Sequence, residues 1–480
     1  MRYHSVHTLS LLLCCAIACL FWGCSNSEWT DLTNKEEPIA EWEYPIIIEQ
    51  DSQEVKESKN KENSGTSSNQ NVSYSQAVNQ SSSSSKITAY LPINDTEYPY
   101  AGIPRIVIET KNRQEIKDRE TEIPAKLQIW GKTAPESEIM DLTIRGRGNT
   151  SWGMPKKSYK IEFIDKQSLL GMPKDRDWAL IANYADKTLM KNFLAYHLSA
   201  QLGAYYAPRC EFAELYINKE YLGVYLLTET IKQAKNRVNI PEDNSYLVEV
   251  DVKYRETEQV VFSRIIRQDS IGKPFRIHYP KHASTQTLKV IEDHIKSFEI
   301  FLKDSTLTDR DFSQWIDIDE YIKHYWIQEF SKNPDATFHT SVFFSWSTHD
   351  VIKMGPVWDF DLAFGGHNSE KIYPAEEWHL KYPYWNEYIF KDSVMESNRV
   401  NYWIKNKDVF LTTLDIIDSV QKSLNDAAQN NFKRWNILQS THFLYHRYSY
   451  RTHKEAADDL KKWIQERIQW IDSRIAQYKQ

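Results

Sequence analysis

Gly355-Pro-Val-Trp-Asp-Phe-Asp-Leu-Ala-Phe-Gly-Gly366 sets two carboxylates, Asp359 and Asp361, around one phenylalanine and closes on a glycine pair. Charge amid Trp358 and Phe360 is expensive unless a metal or a partner compensates it. Two aspartates at i and i+2 bring oxygens within reach of one hard cation, Mg²⁺ or Mn²⁺. The same doublet also occurs as plain turn-capping residues, and unrelated enzymes use Asp-x-Asp for metal–nucleotide binding, so its neighbours decide the reading. Upstream, Ser341–Trp346 and Val351–Met354 flank Ser347-Thr-His-Asp350 and predict a short hairpin. Before it, Asp317 with Glu320 forms a capping box for a helix running to about Lys332. Asp335 stands directly after that helix, in Asn333-Pro-Asp-Ala336.

Moving toward the N-terminus, Tyr246–Val252 reads as a strand, and Glu211–Ile217 with Tyr221–Thr228 as a hairpin around Asn218-Lys-Glu220. Glu229 ends that hairpin, where a carboxylate can pair with a cation, face a base edge or cap the next segment. Asp186 is expected to open a helix with apolar positions at Leu189, Met190, Phe193, Leu194 and Leu198, stopped by Gly203. Asp141–Trp152 runs from a strand into a glycine loop, Arg145-Gly146-Arg147-Gly148-Asn-Thr-Ser151, whose amides and two guanidinium groups suit phosphate oxygens. Lys156-Lys-Ser-Tyr-Lys-Ile-Glu-Phe163 returns as a strand with Tyr159, Ile161 and Phe163 on one face and Lys157 in register with them. Residues 91–140 carry two short alternating runs and read as a small β unit. Beyond about 285 the chain turns helical, and Leu460, Ile464, Ile468, Ile471 and Ile475 mark one amphipathic helix near the end. The order is β-rich first and helical later, an α+β arrangement of two lobes.

The outermost N-terminal segment reads as an address. Residues 1–23 hold one charged residue, Arg2, and an apolar run from Leu11 to Trp22 that is too short to span a hydrocarbon core. Leu20-Phe-Trp-Gly-Cys24 is similar to a bacterial lipobox, in which Cys24 would take lipid; the alternative is an ordinary signal peptide with Cys24 incidental. Residues 24–90 form an acidic and then Ser/Asn/Gln-rich tether, with 17 of the 23 residues from Asn63 to Ser85 being Ser, Asn or Gln. Such a stretch buries too little apolar surface to offset its ordering entropy. The expectation is a membrane-anchored lipoprotein of the cell envelope, exported from the cytoplasm. Of five cysteines, Cys210 alone lies beyond Cys24, so a cysteine-based zinc site is excluded. Net charge is −7 overall, concentrated in the tether, so binding of nucleic acid by bulk charge is excluded.

An acid after a helix, then a hairpin, then a metal aspartate is the order protein kinases use. Taken together, the segments resemble the spore-coat-protein-H (CotH) kinase-like family. The residues that carry the resemblance are Arg145–Trp152 with Lys156–Tyr159, Trp178–Asp186 with Leu189–Asn192, Glu214–Tyr225 with Glu229, and Pro356–Asp361. The resemblance implies an atypical kinase domain over 141–400, with C-terminal helices over 401–480 packing on it. It implies phosphoryl transfer from ATP, with Mg²⁺ or Mn²⁺, to Ser or Thr of a protein in the envelope or at the surface. Asp335 matches the family's catalytic acid and Asp359 its metal ligand, with Asp361 the second acid of the doublet. Arg145, Gly146, Arg147, Gly148 and Glu229 fall on the nucleotide side. Lys157 looks like the phosphate-contacting lysine, with Lys156 and Lys160 as alternatives. Thr340 departs from the kinase pattern, which has an asparagine five residues after the catalytic acid; Asn333 or Asn368 could substitute. Two other readings stand beside this one: a catalytically idle kinase-fold binding module, and a metal-dependent nucleotidyl- or glycosyltransferase.

Overall fold

Seven strands close on themselves in the first half of the chain. They are β1 (Arg105–Thr110), β2 (Ile123–Trp130), β3 (Met140–Arg147), β4 (Ser158–Gln167), β5 (Asp175–Ile181), β6 (Cys210–Ile217) and β7 (Glu220–Glu229). The barrel order is β1-β2-β3-β4-β5-β7-β6, and the parallel pairing of β1 with β6 completes the circle. Period-2 alternation builds it: Ile123, Ala125 and Leu127 of β2 are buried while Pro124 and Lys126 are exposed. The two strands of the 91–140 stretch are therefore staves of this barrel, paired to β3 and β6 as well as to each other. The β6–β7 hairpin turns on Asn218 and Lys219, both at positive φ, the geometry a two-residue type I′ loop requires.

The computed structural model describes residues 89–479 apart from 267–270, 308–309 and 443–444. The leader over 1–23, Cys24 and nearly all of the tether over 24–90 lie outside the described residues. Everything described belongs to one unit, Tyr44–Gln480. No helix among the described residues is long and apolar enough to cross a membrane.

A second, antiparallel sheet has the order β12-β11-β8-β10-β9, built from β8 (Ser245–Val250), β9 (Val260–Ser263), β10 (Lys273–Tyr279), β11 (Val342–Ser347) and β12 (Lys353–Met354). The expected hairpin over 341–354 is its β11–β12 edge. The described residues form eight helices, α1 (Lys191–Gln201), α2 (Thr285–Lys303), α3 (Ile318–Ser331), α4 (Trp385–Ile389), α5 (Ser393–Leu411), α6 (Thr413–Ser423), α7 (Asn425–Arg434) and α8 (His453–Ala476); α2 and α3 pack on this sheet and α7 on β7 of the barrel. The fold is mixed α+β, β-rich first and helical later.

Helix α3 is the axis of the helical part. Asp317 caps it by accepting from the Glu320 amide, as the capping box predicts, and every residue from Glu320 to Ser331 is buried. A helix buried all round must pair its polar groups. Lys323 takes Glu320 and the Gly203 carbonyl, while Glu329 takes Arg467 of α8 at 2.6 Å. Arg467 also holds the carbonyls of Ala375 and Glu377, so α8 is tied to the chain that comes after the aspartate doublet. Helix α1 starts five residues later than its sequence suggests. Asp186 folds a turn of its own, accepting from the amides of Thr188 and Lys191, and Leu189 adopts a positive φ before the helix begins.

Candidate active site

Between the outer wall of β3–β4–β5 and the second sheet lies a cleft of about 730 Å³, a size typical of small-molecule sites. Strand parity decides which side chains reach it. On β4, Tyr159, Ile161 and Phe163 fill the core, so Lys160 points the other way, and across the ladder Arg145 pairs with Lys160 and Arg147 with Ser158. Arg145, Arg147, Lys156 and Lys160 line the cleft together. The expected glycine loop is thus partly strand: β3 continues through Arg147, and the turn proper begins at Gly148. Gly146 does not line the cleft. A Cβ there would overlap the Trp152 ring, which packs flat on this strand.

These cations differ in how free they are. Arg145 donates to the Arg119 carbonyl at 2.6 Å, and Lys160 is paired with Asp177 at 2.7 Å. Lys156, 2% exposed, is held by the Val224 carbonyl and by Asn431 of α7, and burial pushes its pKa well down. Arg147 makes no side-chain hydrogen bond among the described residues. Its guanidinium stacks over Trp358 at 5.3 Å and feels Asp359.

Two of the expected nucleotide contacts fall elsewhere. Lys157 shares parity with the buried face of β4; its ammonium folds back onto the Trp152 carbonyl at 2.5 Å and does not line the cleft. Glu229 is fully buried and already spent. It accepts from Tyr206, from Arg209 at 2.9 Å and from Arg237 at 2.6 Å, behind the cleft wall. A buried carboxylate bound by two arginines is held in a structural pairing, and neither Glu229 nor Lys157 lines the cleft.

Across the cleft stand Asp335, Asp359 and Asp361, all half-buried on its wall. Burial and then Asp359 push the Asp335 carboxyl up to about 7, with Lys253 offsetting part of this. The Asp361 carboxyl lies well above the ordinary range, through burial, then the charge of Asp359 and a hydrogen bond to it. One asparagine fixes the spacing of the two chain segments. Asn333 caps the Pro334–Ala336 turn by accepting from the Asp335 amide, and its own amide donates to the Asp359 carbonyl at 3.1 Å and to Gln328 at 3.0 Å. Asn192 of α1 accepts from the Phe360 amide at 2.8 Å, and Asp359 is held at φ +64°. Asn333 is therefore a brace, and its amide oxygen is not available as a substitute metal ligand.

The acid pair fits a divalent cation. Two desolvated carboxylates side by side are a donor set that a hard cation neutralises. No three His, Cys, Asp or Glu side chains among the described residues form a ready-made cage. Mg²⁺ in nucleotide sites needs only one or two carboxylates, the rest of its sphere being phosphate and water oxygens.

Sequence reasoning missed part of the wall. Asp251, just past β8, is buried beside Asp335 and accepts from the Thr340 hydroxyl at 2.9 Å. Glu249, two residues earlier, takes His278 at 2.7 Å and the Ser341 amide. The signal was present: the apolar strand Tyr246-Leu-Val248 ends in Glu249-Val-Asp251, two acids on one face.

The match to known families falls on this architecture. Residues 144–471 fit the family model described as CotH kinase protein, a span from the end of β3 into α8 that contains the cleft. No curated protein matches the chain. Since the matched span exceeds half its length, the chain belongs to the CotH kinase protein family.

Proposed function

We propose that this chain is an atypical kinase that transfers the terminal phosphoryl group of ATP to a Ser or Thr hydroxyl of a protein. The observation that carries this reading is the unpaired guanidinium of Arg147 facing an unneutralised acid pair across one cleft. Among the described residues neither side has a counter-charge within hydrogen-bond reach, and a metal–triphosphate supplies both. Asp359 and Asp361 would hold the divalent cation, which when bound neutralises charge on the phosphates. Arg147, with Arg145 and Lys160 beside it, would meet phosphate oxygens. Asp335 orients the acceptor hydroxyl and takes its proton as the oxygen bonds to the terminal phosphorus. The bridging P–O bond then breaks and nucleoside diphosphate leaves. A carboxyl held near 7 suits a base that works close to neutral pH.

The lipobox-like Cys24 and the tether support an exported, membrane-anchored enzyme whose substrates are envelope or surface proteins. The test is intact mass of the chain after incubation with ATP and Mn²⁺, beside Asp359→Ala. Gain of a phosphoryl group by the parent alone is the expected result. A nucleotide-sized gain would change the reaction, and no gain with no nucleotide-dependent thermal stabilisation would favour an idle binding module.

A further inference from the structure

A second cavity of about 900 Å³ opens beside the first. Its walls are the turn before α1, the chain from Phe364 to Glu376, the stretch Tyr445–Tyr450 and one face of α8. The two cavities meet at Tyr445, which lines both and whose phenol feels Asp335 and Asp361. On the wall of the second cavity stands Lys191, the first residue of α1. It is 6% exposed, and among the described residues its ammonium makes no hydrogen bond or ion pair; its charge is felt only from farther off by Asp186, Asp361 and Asp459. Gly366 makes room for it, since a Cβ there would overlap the ammonium. A desolvated ammonium with three unused donors is an open demand for oxygen acceptors.

Building on the kinase reading, we propose that this second cavity binds the acceptor polypeptide, with Lys191 as a positioning residue that takes a backbone carbonyl or carboxylate oxygen of that segment. With nucleotide filling the first cavity, the acceptor hydroxyl must approach Asp335 from another side, and the second cavity adjoins the first at Tyr445, which lines both. Two of its rings, Tyr373 and Trp463, are already occupied. The face of Tyr373 is covered by Arg447 at 3.5 Å, and Trp463 is tied by its indole N–H to the Tyr373 carbonyl, with Gly365 against its ring. What the cavity offers a ligand is donors and charges of both signs, which match a peptide backbone.

The experiment compares the parent chain with Lys191→Met and Lys191→Arg, using a degenerate peptide library with one central serine, ATP and Mn²⁺. Nucleotide-dependent thermal stabilisation is read first; its absence in the parent sinks the kinase reading, a failure separate from that of the acceptor site. Losing one charge-assisted contact is expected to raise the acceptor KM of Lys191→Met by about tenfold, with the ATP KM unchanged and Lys191→Arg largely restored. Equal acceptor KM values in parent and Lys191→Met would overturn the assignment. So would a parent that binds nucleotide but modifies no peptide, or that modifies an oligosaccharide instead.

Discussion

Replacing Asn333 tests how the acid centre is held. In Asn333→Ala the Asp335 amide, the Asp359 carbonyl and the Gln328 side-chain oxygen all lose their partner at a site 1% exposed. A buried polar group left unsatisfied costs about 1–3 kcal/mol. Water can enter from the cleft at Asp335 but not readily at Gln328, so about 3 kcal/mol in all is expected. Asp359 at φ +64° works against this, because a non-glycine residue there stores on the order of 1 kcal/mol that is relieved once its carbonyl is released, so about 3 kcal/mol is the upper end. With an unfolding entropy of about 2.1 cal/mol/K per residue over roughly 390 residues, 3 kcal/mol is a fall of about 4 °C in Tm. Asn333→Asp separates the two halves of the brace. It keeps the acceptor for the Asp335 amide but turns both donor contacts into oxygen facing oxygen, beside two existing carboxylates. It is expected to be at least as unstable as the alanine variant, and both variants to lose phosphoryl transfer. Scanning calorimetry reads the stability and intact mass the transfer. A drop below about 1 °C in Asn333→Ala, or an Asn333→Asp variant with parental Tm and activity, would refute the brace.

Two further outcomes rest on buried charge. Glu229→Gln leaves Arg237 and Arg209 without their carboxylate, so a loss of about 3–5 kcal/mol is expected while nucleotide-dependent stabilisation persists; an unchanged Tm with the nucleotide response abolished would return Glu229 to the binding site. Burial holds the His379 imidazole down at about 4 against an ordinary 6.5. Its contribution is therefore complete above pH 6.5 and is lost as pH falls from there toward 4, because the unfolded chain takes up the proton first. Between pH 7 and 5 this amounts to about 2 kcal/mol, or roughly 2 °C; calorimetry at both pH values should show a correspondingly smaller drop for His379→Gln, and equal drops would rule the group out.

Local patterning made most of the fold legible. Period-2 alternation located six of the seven barrel strands, missing β5, and the 341–354 hairpin, and the Asp317–Glu320 box located α3, because each is decided by neighbours within a few residues. The same rule held the answer to Lys157. Once Tyr159, Ile161 and Phe163 are assigned to the core, a cleft-facing lysine at the start of β4 must have an even number, which selects Lys160 over Lys157; Lys156 reaches the cleft from the turn before the strand. The fate of Glu229 obeys no such local rule. Whether a carboxylate at the end of an apolar strand faces a ligand or a buried arginine depends on where Arg209 and Arg237 come to rest, and only chain closure sets that. Asn333 likewise reaches a carbonyl 26 residues away. Polar groups are satisfied pairwise across the fold, so a list of candidate charges also names residues, here Lys157 and Glu229, that the cleft does not use. The ones left over after every structural pairing is closed, Arg147, Lys191 and the acid pair, are those whose charge has no purpose within the free protein. A fold that keeps four such groups on the walls of two joined cavities bears a standing desolvation cost, and bound substrate is what removes it.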